Sequence, residues 1–252
     1  MKETITFIGN GNMALSIAQG LKEIFDIEVV GREMSKLDKF EKSLGVTIKK
    51  EIYEDFDMNS KKIILCVKPA NLEEVGVRLK GTALELYSVL AGTSITALKE
   101  NIKSKATVRV MPNLAASVGE SMSTMTGDVN LKLEAEELFK SIGQTLWLSS
   151  EKELDIATGV AGSGPAYLAL IHEALCDGAV KQGMKRVDAI KVANGLFKGF
   201  GELIGTTHSA LLKDGVMSPG GTTAAGYAAL EKGNVRSSCI DAVEAAYKIT
   251  QK

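Results

Sequence analysis

Apolar positions in the first 150 residues keep two alternating rhythms. Short runs rich in Val and Ile, at Thr4 to Ile8, Ile27 to Val30, Lys62 to Val67, Tyr87 to Ala91, Thr107 to Met111 and Thr145 to Leu148, have the length of strands. Between them, apolar residues recur every three or four positions, as at Met13, Ile17, Leu21 and Ile24, and again at Leu37, Phe40 and Leu44. Gly45 then stands where a helix would stop. The alternation predicts βαβ units and a parallel, doubly wound α/β sheet over residues 1–150.

After Glu151 the strand-like runs cease. Residues 151–252 are rich in Ala, Gly and Leu at helical spacing, most clearly over Pro165 to Gly183 and Val187 to Ile204, which predicts an all-α second domain. Small residues let helices approach closely, yet a lone layer of such helices leaves apolar faces bare. A second subunit is expected to cover them, giving a homodimer or a larger assembly of dimers. No linker or repeat marks the boundary, only the change of pattern.

Charge narrows the partners. With 30 Lys plus Arg against 31 Asp plus Glu, the chain has no bias toward nucleic acid or an anionic membrane, so an anionic ligand must be held locally. The opening MKETITFIGNGN lacks the pattern of a secretory leader, and no uninterrupted apolar run reaches the ~18 residues of a membrane span. A cytoplasmic protein acting on a small molecule is the expectation. Cys66, Cys176 and Cys239 are far apart and in apolar surroundings, which predicts buried thiols without metal or disulfide spacing. Two histidines, His172 and His208, leave little room for zinc or Ser-His-Asp chemistry; His172 reads as a packed or interfacial residue rather than a ligand.

The segment Gly9-Asn10-Gly11-Asn12-Met13-Ala14 is a G-x-G-x-x-A loop directly between the first strand and first helix. There Gly9 permits a tight turn, Gly11 lets backbone approach a pyrophosphate, and Ala14 allows close helix packing. Gly9, Gly11, Asn12 and Met13 are therefore candidate cofactor residues, with free N–H groups at the helix start facing the phosphates. A site for NAD ordinarily ends its second strand on an acidic residue; here Val29-Val30 leads to Gly31-Arg32. Arg32 suits a 2′-phosphate and Ser35 can add a hydroxyl, so NADPH is the expected cofactor. Glu33, next in sequence, keeps NADH open as an alternative.

Further motifs follow in fixed order: Cys66-Val67-Lys68-Pro69, Ala91-Gly92, Arg109-Val110-Met111-Pro112-Asn113, Ala161-Gly162-Ser163-Gly164-Pro165-Ala166-Tyr167 and Ser218-Pro219-Gly220-Gly221-Thr222-Thr223. As an ordered set they resemble pyrroline-5-carboxylate reductase from end to end. The resemblance implies a Rossmann-type domain followed by a helical domain that interlocks with a second subunit, with active sites at the dimer interface. It also implies that Lys68, Pro69, Met111, Pro112 and Asn113 lie near the nicotinamide. Ser218, Gly221 and Thr222 would hold the substrate carboxylate, and the Thr223 hydroxyl would meet the ring nitrogen. The implied reaction is reduction of 1-pyrroline-5-carboxylate to L-proline. His208-Ser209-Ala210 lacks the proline the family often has after the histidine, and Ala161 stands where a serine is usual.

The residue types suit an imine. A protonated C=N carbon is already electrophilic, so hydride delivery needs alignment and a hydroxyl at the nitrogen more than a strong base. Ser218-Pro219 reads as a helix start with Ser as cap and Pro in the first turn, and Gly220-Gly221 leaves backbone N–H groups uncovered for a carboxylate. Two other readings compete. A β-hydroxyacid dehydrogenase would use a helix-borne Lys after its glycine-rich segment, but none follows Gly162-Ser163-Gly164 until Lys181. A non-catalytic NADP sensor would not need an intact turn at the substrate end.

Overall fold

Strands and helices that alternate along a chain can hide their apolar faces only by stacking in layers, and the first half does so. A computed structural model describes residues 2–54 and 56–251. In order, it contains β1 (Thr4–Ile8), α1 (Asn12–Leu21), β2 (Asp26–Gly31), α2 (Met34–Leu44), β3 (Lys49–Ile52) and β4 (Phe56–Asp57). Next come β5 (Lys62–Leu65), α3 (Leu72–Gly76), β6 (Leu79–Lys80), β7 (Ala83–Ser88), α4 (Ile95–Asn101) and β8 (Ser104–Met111). The α/β part closes with β9 (Ser121–Gly127), α5 (Lys132–Lys140) and β10 (Gly143–Trp147), and α6 (Glu151–Ala157) follows.

The main sheet runs β10-β9-β8-β7-β5-β1-β2-β3. From β1 the chain winds outward through β2 and β3, then crosses to β5 on the other side. The β1 end is therefore the switch point where open α/β sheets place ligands. One face is packed by Ile5, Phe7, Val29, Val108 and Val110 against Ile17 and Leu21 of α1 and Phe139 of α5. The other face joins Ile8, Val30, Ile63, Leu65 and Leu86 to Leu72 and Leu98.

Four details correct the expectation. The sheet is mixed, because β9 pairs antiparallel with β8; its Ser- and Thr-rich sequence does not look like a strand. The charged edge strand β3 is likewise hidden in sequence. The fourth strand expected from the sequence is Ala83–Ser88 rather than Tyr87 to Ala91, since Glu85 looks like an exposed residue but is buried and accepts a 2.7 Å bond from the Tyr87 hydroxyl. Helix α1 stops at Leu21, leaving Ile24 exposed. Gly45 does end α2, in a left-handed conformation (φ 77°).

The second half is α7 (Gly164–Lys181), α8 (Arg186–Ile204), α9 (Ser209–Val216), α10 (Thr222–Lys232) and α11 (Val235–Thr250). By its contacts the chain divides into Met1–Ser163 with Glu244–Lys252, and Gly164–Val243. Within the second unit the buried apolar cluster is small: Cys176, Ala189 and Ala193, with Ala179 and Val180 beside it. On α8, Val192, Leu196, Phe200 and Leu203 recur at helical spacing, and all are more than half exposed. Cys239 is exposed and Cys66 half-buried, so only Cys176 is the buried thiol expected of all three. Through a π-helical stretch at Thr158–Gly162, α6 continues into α7. The combined run Glu151–Lys181 is long and apolar enough to cross a membrane by length and composition, which no single apolar run in the sequence suggested.

Candidate active site

The loop after β1 is shaped by what glycine lacks. Gly9 has φ 107°, and a Cβ there would stand 2.7 Å from the Cys66 carbonyl oxygen, so only glycine lets the turn close against β5. Its N–H donates to Val30 O at 2.9 Å, and Cys66 N donates to Ile8 O at 2.8 Å, tying the loop to both neighbouring strands. Gly11 is the extended residue before α1, and no side chain caps the helix. Nothing lies within 4 Å of the position a Gly11 Cβ would occupy. The first amides of α1, at Asn12 and Met13, have no capping side chain, a donor set that fits the pyrophosphate of a dinucleotide. A cavity of about 250 Å³ beside the loop is lined by Asn12, Lys36, Lys39 and Ser43. Lys36 and Lys39 lie outside the G-x-G-x-x-A motif, and only their three-residue spacing on α2, soon after Arg32, marks them in the sequence.

Arg32 lies just beyond β2, exposed, and its Nη2 bonds Glu74 Oε2 at 2.8 Å. Glu74 also receives Arg78 at 3.1 Å, so Arg32 opens a short run of exposed ion pairs. Glu33 is drawn to Lys36 at 2.7 Å instead of standing free as a ribose acceptor. Ser35 is exposed in the first turn of α2.

Lys68 is exposed and precedes a 3₁₀ turn at Pro69–Asn71, whose Asn71 N–H donates to Lys68 O at 2.8 Å. Met111 and Pro112 are buried at the end of β8. Asn113 is fully engaged: its N–H donates to Ser121 Oγ, its Oδ1 accepts from Ala115 N, and its Nδ2 donates to Ala161 O, each at 3.0 Å. Its side chain holds the backbone in place, which the sequence did not indicate. All of these residues belong to the first unit.

The Ser218-to-Thr223 segment belongs to the second unit. Here the helix-start reading is corrected. Gly221, not Ser218, precedes α10, with extended φ −77° and ψ 169°, and no side chain caps the helix. Gly221 N donates to Ser218 O at 3.0 Å, Pro219 follows Ser218, and Gly220 has φ 68°. Those are the marks of a type II turn, with Pro at its second position and Gly at its third. Ser218 Oγ folds back to the space a Gly221 Cβ would fill, so a larger residue there would push the hydroxyl away. The result is an uncapped helix start with Thr222 and Thr223 exposed in its first turn and the Ser218 hydroxyl folded back toward Gly221. Such a start receives a carboxylate through its free N–H groups and the positive end of the helix dipole. His208 caps α9, its Nδ1 accepting from Ala210 N at 3.2 Å. His172 is packed as expected, at 2.9 Å from Asn194 Oδ1 and edge-on to Phe197.

Known proteins carry both halves of this arrangement. Residues 4–90 match the family described as NADP oxidoreductase, coenzyme F420-dependent, and residues 151–252 match that described as pyrroline-5-carboxylate reductase dimerisation. A pyrroline-5-carboxylate reductase of Synechocystis sp. is 37% identical over 265 residues, covering 100% of this chain and 98% of its own. Among solved structures, the pyrroline-5-carboxylate reductase of Coxiella burnetii superposes with a TM-score of 0.85 at 31% identity, over 100% of this chain and 98% of its own. The Plasmodium falciparum pyrroline carboxylate reductase with NADP bound does so with 0.80 at 28%, over 99% and 97%. A phosphate-ready loop at the sheet's switch point, a helical unit with only a small buried cluster, and likeness over the whole length all agree: the chain belongs to the pyrroline-5-carboxylate reductase family.

Proposed function

We propose that this chain reduces 1-pyrroline-5-carboxylate to L-proline, the final step of proline biosynthesis, with NADPH as the preferred donor and NADH as a weaker one. Bound NADPH supplies the hydride. Gly9, Gly11, Asn12 and Met13 hold its pyrophosphate, and Arg32 with Ser35 takes the 2′-phosphate. Lys68, Pro69, Met111 and Asn113 border the nicotinamide. Ser218, Gly221 and Thr222 grip the substrate carboxylate, and the Thr223 hydroxyl meets the ring nitrogen as its charge changes. The dinucleotide-binding domain ends near residue 150, somewhat before the contact boundary at Ser163, and the enzyme is a cytoplasmic homodimer, or an assembly of dimers, in which a second copy covers the α8 stripe.

The uncapped start of α10 carries this reading. A helix start that leaves its first amides bare while setting hydroxyls at Ser218, Thr222 and Thr223 beside them suits a small carboxylate with a polar atom next to it. The test supplies 1-pyrroline-5-carboxylate with NADPH or NADH and follows cofactor oxidation together with proline formation. Turnover with a preference for NADPH is expected. A folded protein that turns over neither combination overturns the reading.

A further inference from the structure

Arg109 is a charged residue with no role in the reaction as described, yet it is 2% exposed. It lies on β8 two residues before Met111. Its Nη1 donates to Glu151 Oε1 and its Nη2 to Asp155 Oδ1, both at 2.8 Å. Its buried Nε has no partner among the described residues. Glu151 and Asp155 are four apart at the start of α6, so one helix face presents both carboxylates to the two arms of the guanidinium. Glu151 Oε1 also accepts from Ile95 N at 2.8 Å, at the first residue of α4. Asp155 Oδ2 accepts from Gln251 Nε2 at 3.4 Å.

Stability alone is a poor reason for such a cluster. A buried donor without a partner is destabilising, and buried ion pairs are often replaced by apolar groups without loss. What the cluster does secure is alignment. It ties β8, which leads into Met111 to Asn113, to α4, which follows Ala91-Gly92, and to α6, which leads to Ala161. Ala161 O in turn accepts from Asn113 Nδ2 at 3.0 Å. A cavity of about 520 Å³ is lined by Arg109, Glu151, Asp155, Gly92 and Pro69, so the Lys68-Pro69 segment borders the same cluster.

We propose that Arg109 is a positioning residue for hydride transfer, holding the Pro69, Gly92 and Met111-to-Asn113 segments in one fixed arrangement through Glu151 and Asp155. This rests on the functional reading above, in which those segments border the nicotinamide. A lysine keeps the charge but has no fork to bridge both carboxylates. Because misplacement by about 1 Å can cost on the order of a hundredfold, Arg109→Lys should lower kcat roughly ten- to a hundredfold. NADPH affinity, set mainly at the pyrophosphate and 2′-phosphate, should change less than about threefold.

Kinetics, NADPH titration and thermal unfolding are measured on the whole chain for the wild type, Arg109→Lys, Asp155→Asn, Asn113→Ala and Arg109→Lys combined with Asn113→Ala. A fall in kcat with NADPH affinity kept, and a double variant no worse than the poorer single one, supports the proposal, since both residues then act on one alignment. Asp155→Asn, which removes one arm only, should show a smaller loss of the same kind and stands in if Arg109→Lys fails to fold. Wild-type kcat in the folded variants, or a loss that only follows the unfolded fraction, overturns the proposal. Multiplying losses in the double variant do the same. A wild-type chain without turnover would overturn the functional reading, and this proposal with it.

Discussion

The two units bury their apolar residues to very different extents. In the first, both faces of the inner strands of an eight-stranded sheet are packed, and Tyr87, Phe7, Phe139 and a series of Ile and Leu are fully buried. In the second, Cys176, Ala189 and Ala193 are the buried cluster, while Val192, Leu196, Phe200 and Leu203 line α8 in the open. Exposed apolar residues occur in the first unit as well, alone as at Val77 or in pairs such as Leu114 with Val118 and Val129 with Leu133, but not as a run along one long helix. A lone exposed side chain asks for no partner, whereas a stripe along one helix face does. The first unit covers its own core, whereas the second leaves bare a stripe that, on the function proposed above, a second copy covers.

The sharpest break of this contrast is a charge placed on each side. Leu196→Glu should weaken self-association over a hundredfold, from about 3 kcal/mol or more for an unpaired carboxylate buried in an interface, and abolish activity with it. Val77→Glu, at a position 80% exposed, should change neither. Sedimentation over a range of concentrations with parallel assays checks both. A Leu196→Glu protein that stays dimeric and active would show that a second copy does not cover the stripe.

Thr223 sharpens the functional side of the second unit. Thr223→Val keeps the shape and removes the oxygen. Its kcat should fall on the order of ten- to a thousandfold, roughly 1.4–4 kcal/mol, with NADPH affinity unchanged. Ser218→Ala should act mainly on the substrate KM, because a carboxylate contact is present before and during hydride transfer. Steady-state kinetics separate the two.

The first unit should be the one that acid undermines. Glu28 is fully buried in β2; burial pushes its carboxyl up, but bonds from Lys49, Lys61 and Thr6 outweigh this and hold it below its ordinary value of 4.5. A lowered folded value means the stabilisation is complete above the unfolded value and is lost as pH falls through the folded one. Unfolding followed from pH 7 down to 3 should therefore steepen below about pH 4.5, and Glu28→Gln should flatten that limb while costing about 1–3 kcal/mol at neutral pH.

The smallest effects are expected at the 2′-phosphate. Arg32→Ala should raise the NADPH KM about tenfold and leave that for NADH nearly unchanged, as loss of a charged hydrogen bond of about 1.5 kcal/mol would do. Glu74→Gln frees Arg32 from its exposed ion pair, which is worth at most about 1 kcal/mol, so NADPH should bind up to about fivefold better. Equal response of both cofactors to either change would remove Arg32 from the site.

Much of this was legible beforehand, and what was not has a local cause. The G-x-G-x-x-A loop shows in sequence because φ 107° at Gly9 tolerates only glycine. The Ser218-to-Thr223 run was legible as a motif, but its cap was misplaced by three residues: Ser-Pro suits the start of a helix and the start of a type II turn equally well, and only the Gly221-to-Ser218 bond chooses between them. Strand β9 escaped because Ser and Thr satisfy a buried polar sheet as well as a loop, and Glu85 disguised β7 because its partner, Tyr87, is invisible to periodicity.

By itself the sequence determined the period of each segment, the glycines that backbone geometry demands and the order of the motifs, because these depend on steric rules acting over a few residues. The tertiary structure alone decided that β9 runs antiparallel, that Arg32 faces Glu74, that Asn113 is spent on backbone bonds, and that Arg109 is buried between Glu151 and Asp155. Each of these joins residues tens of positions apart or turns on which strand lies beside which. No local pattern encodes such pairings; they exist only once the chain has packed.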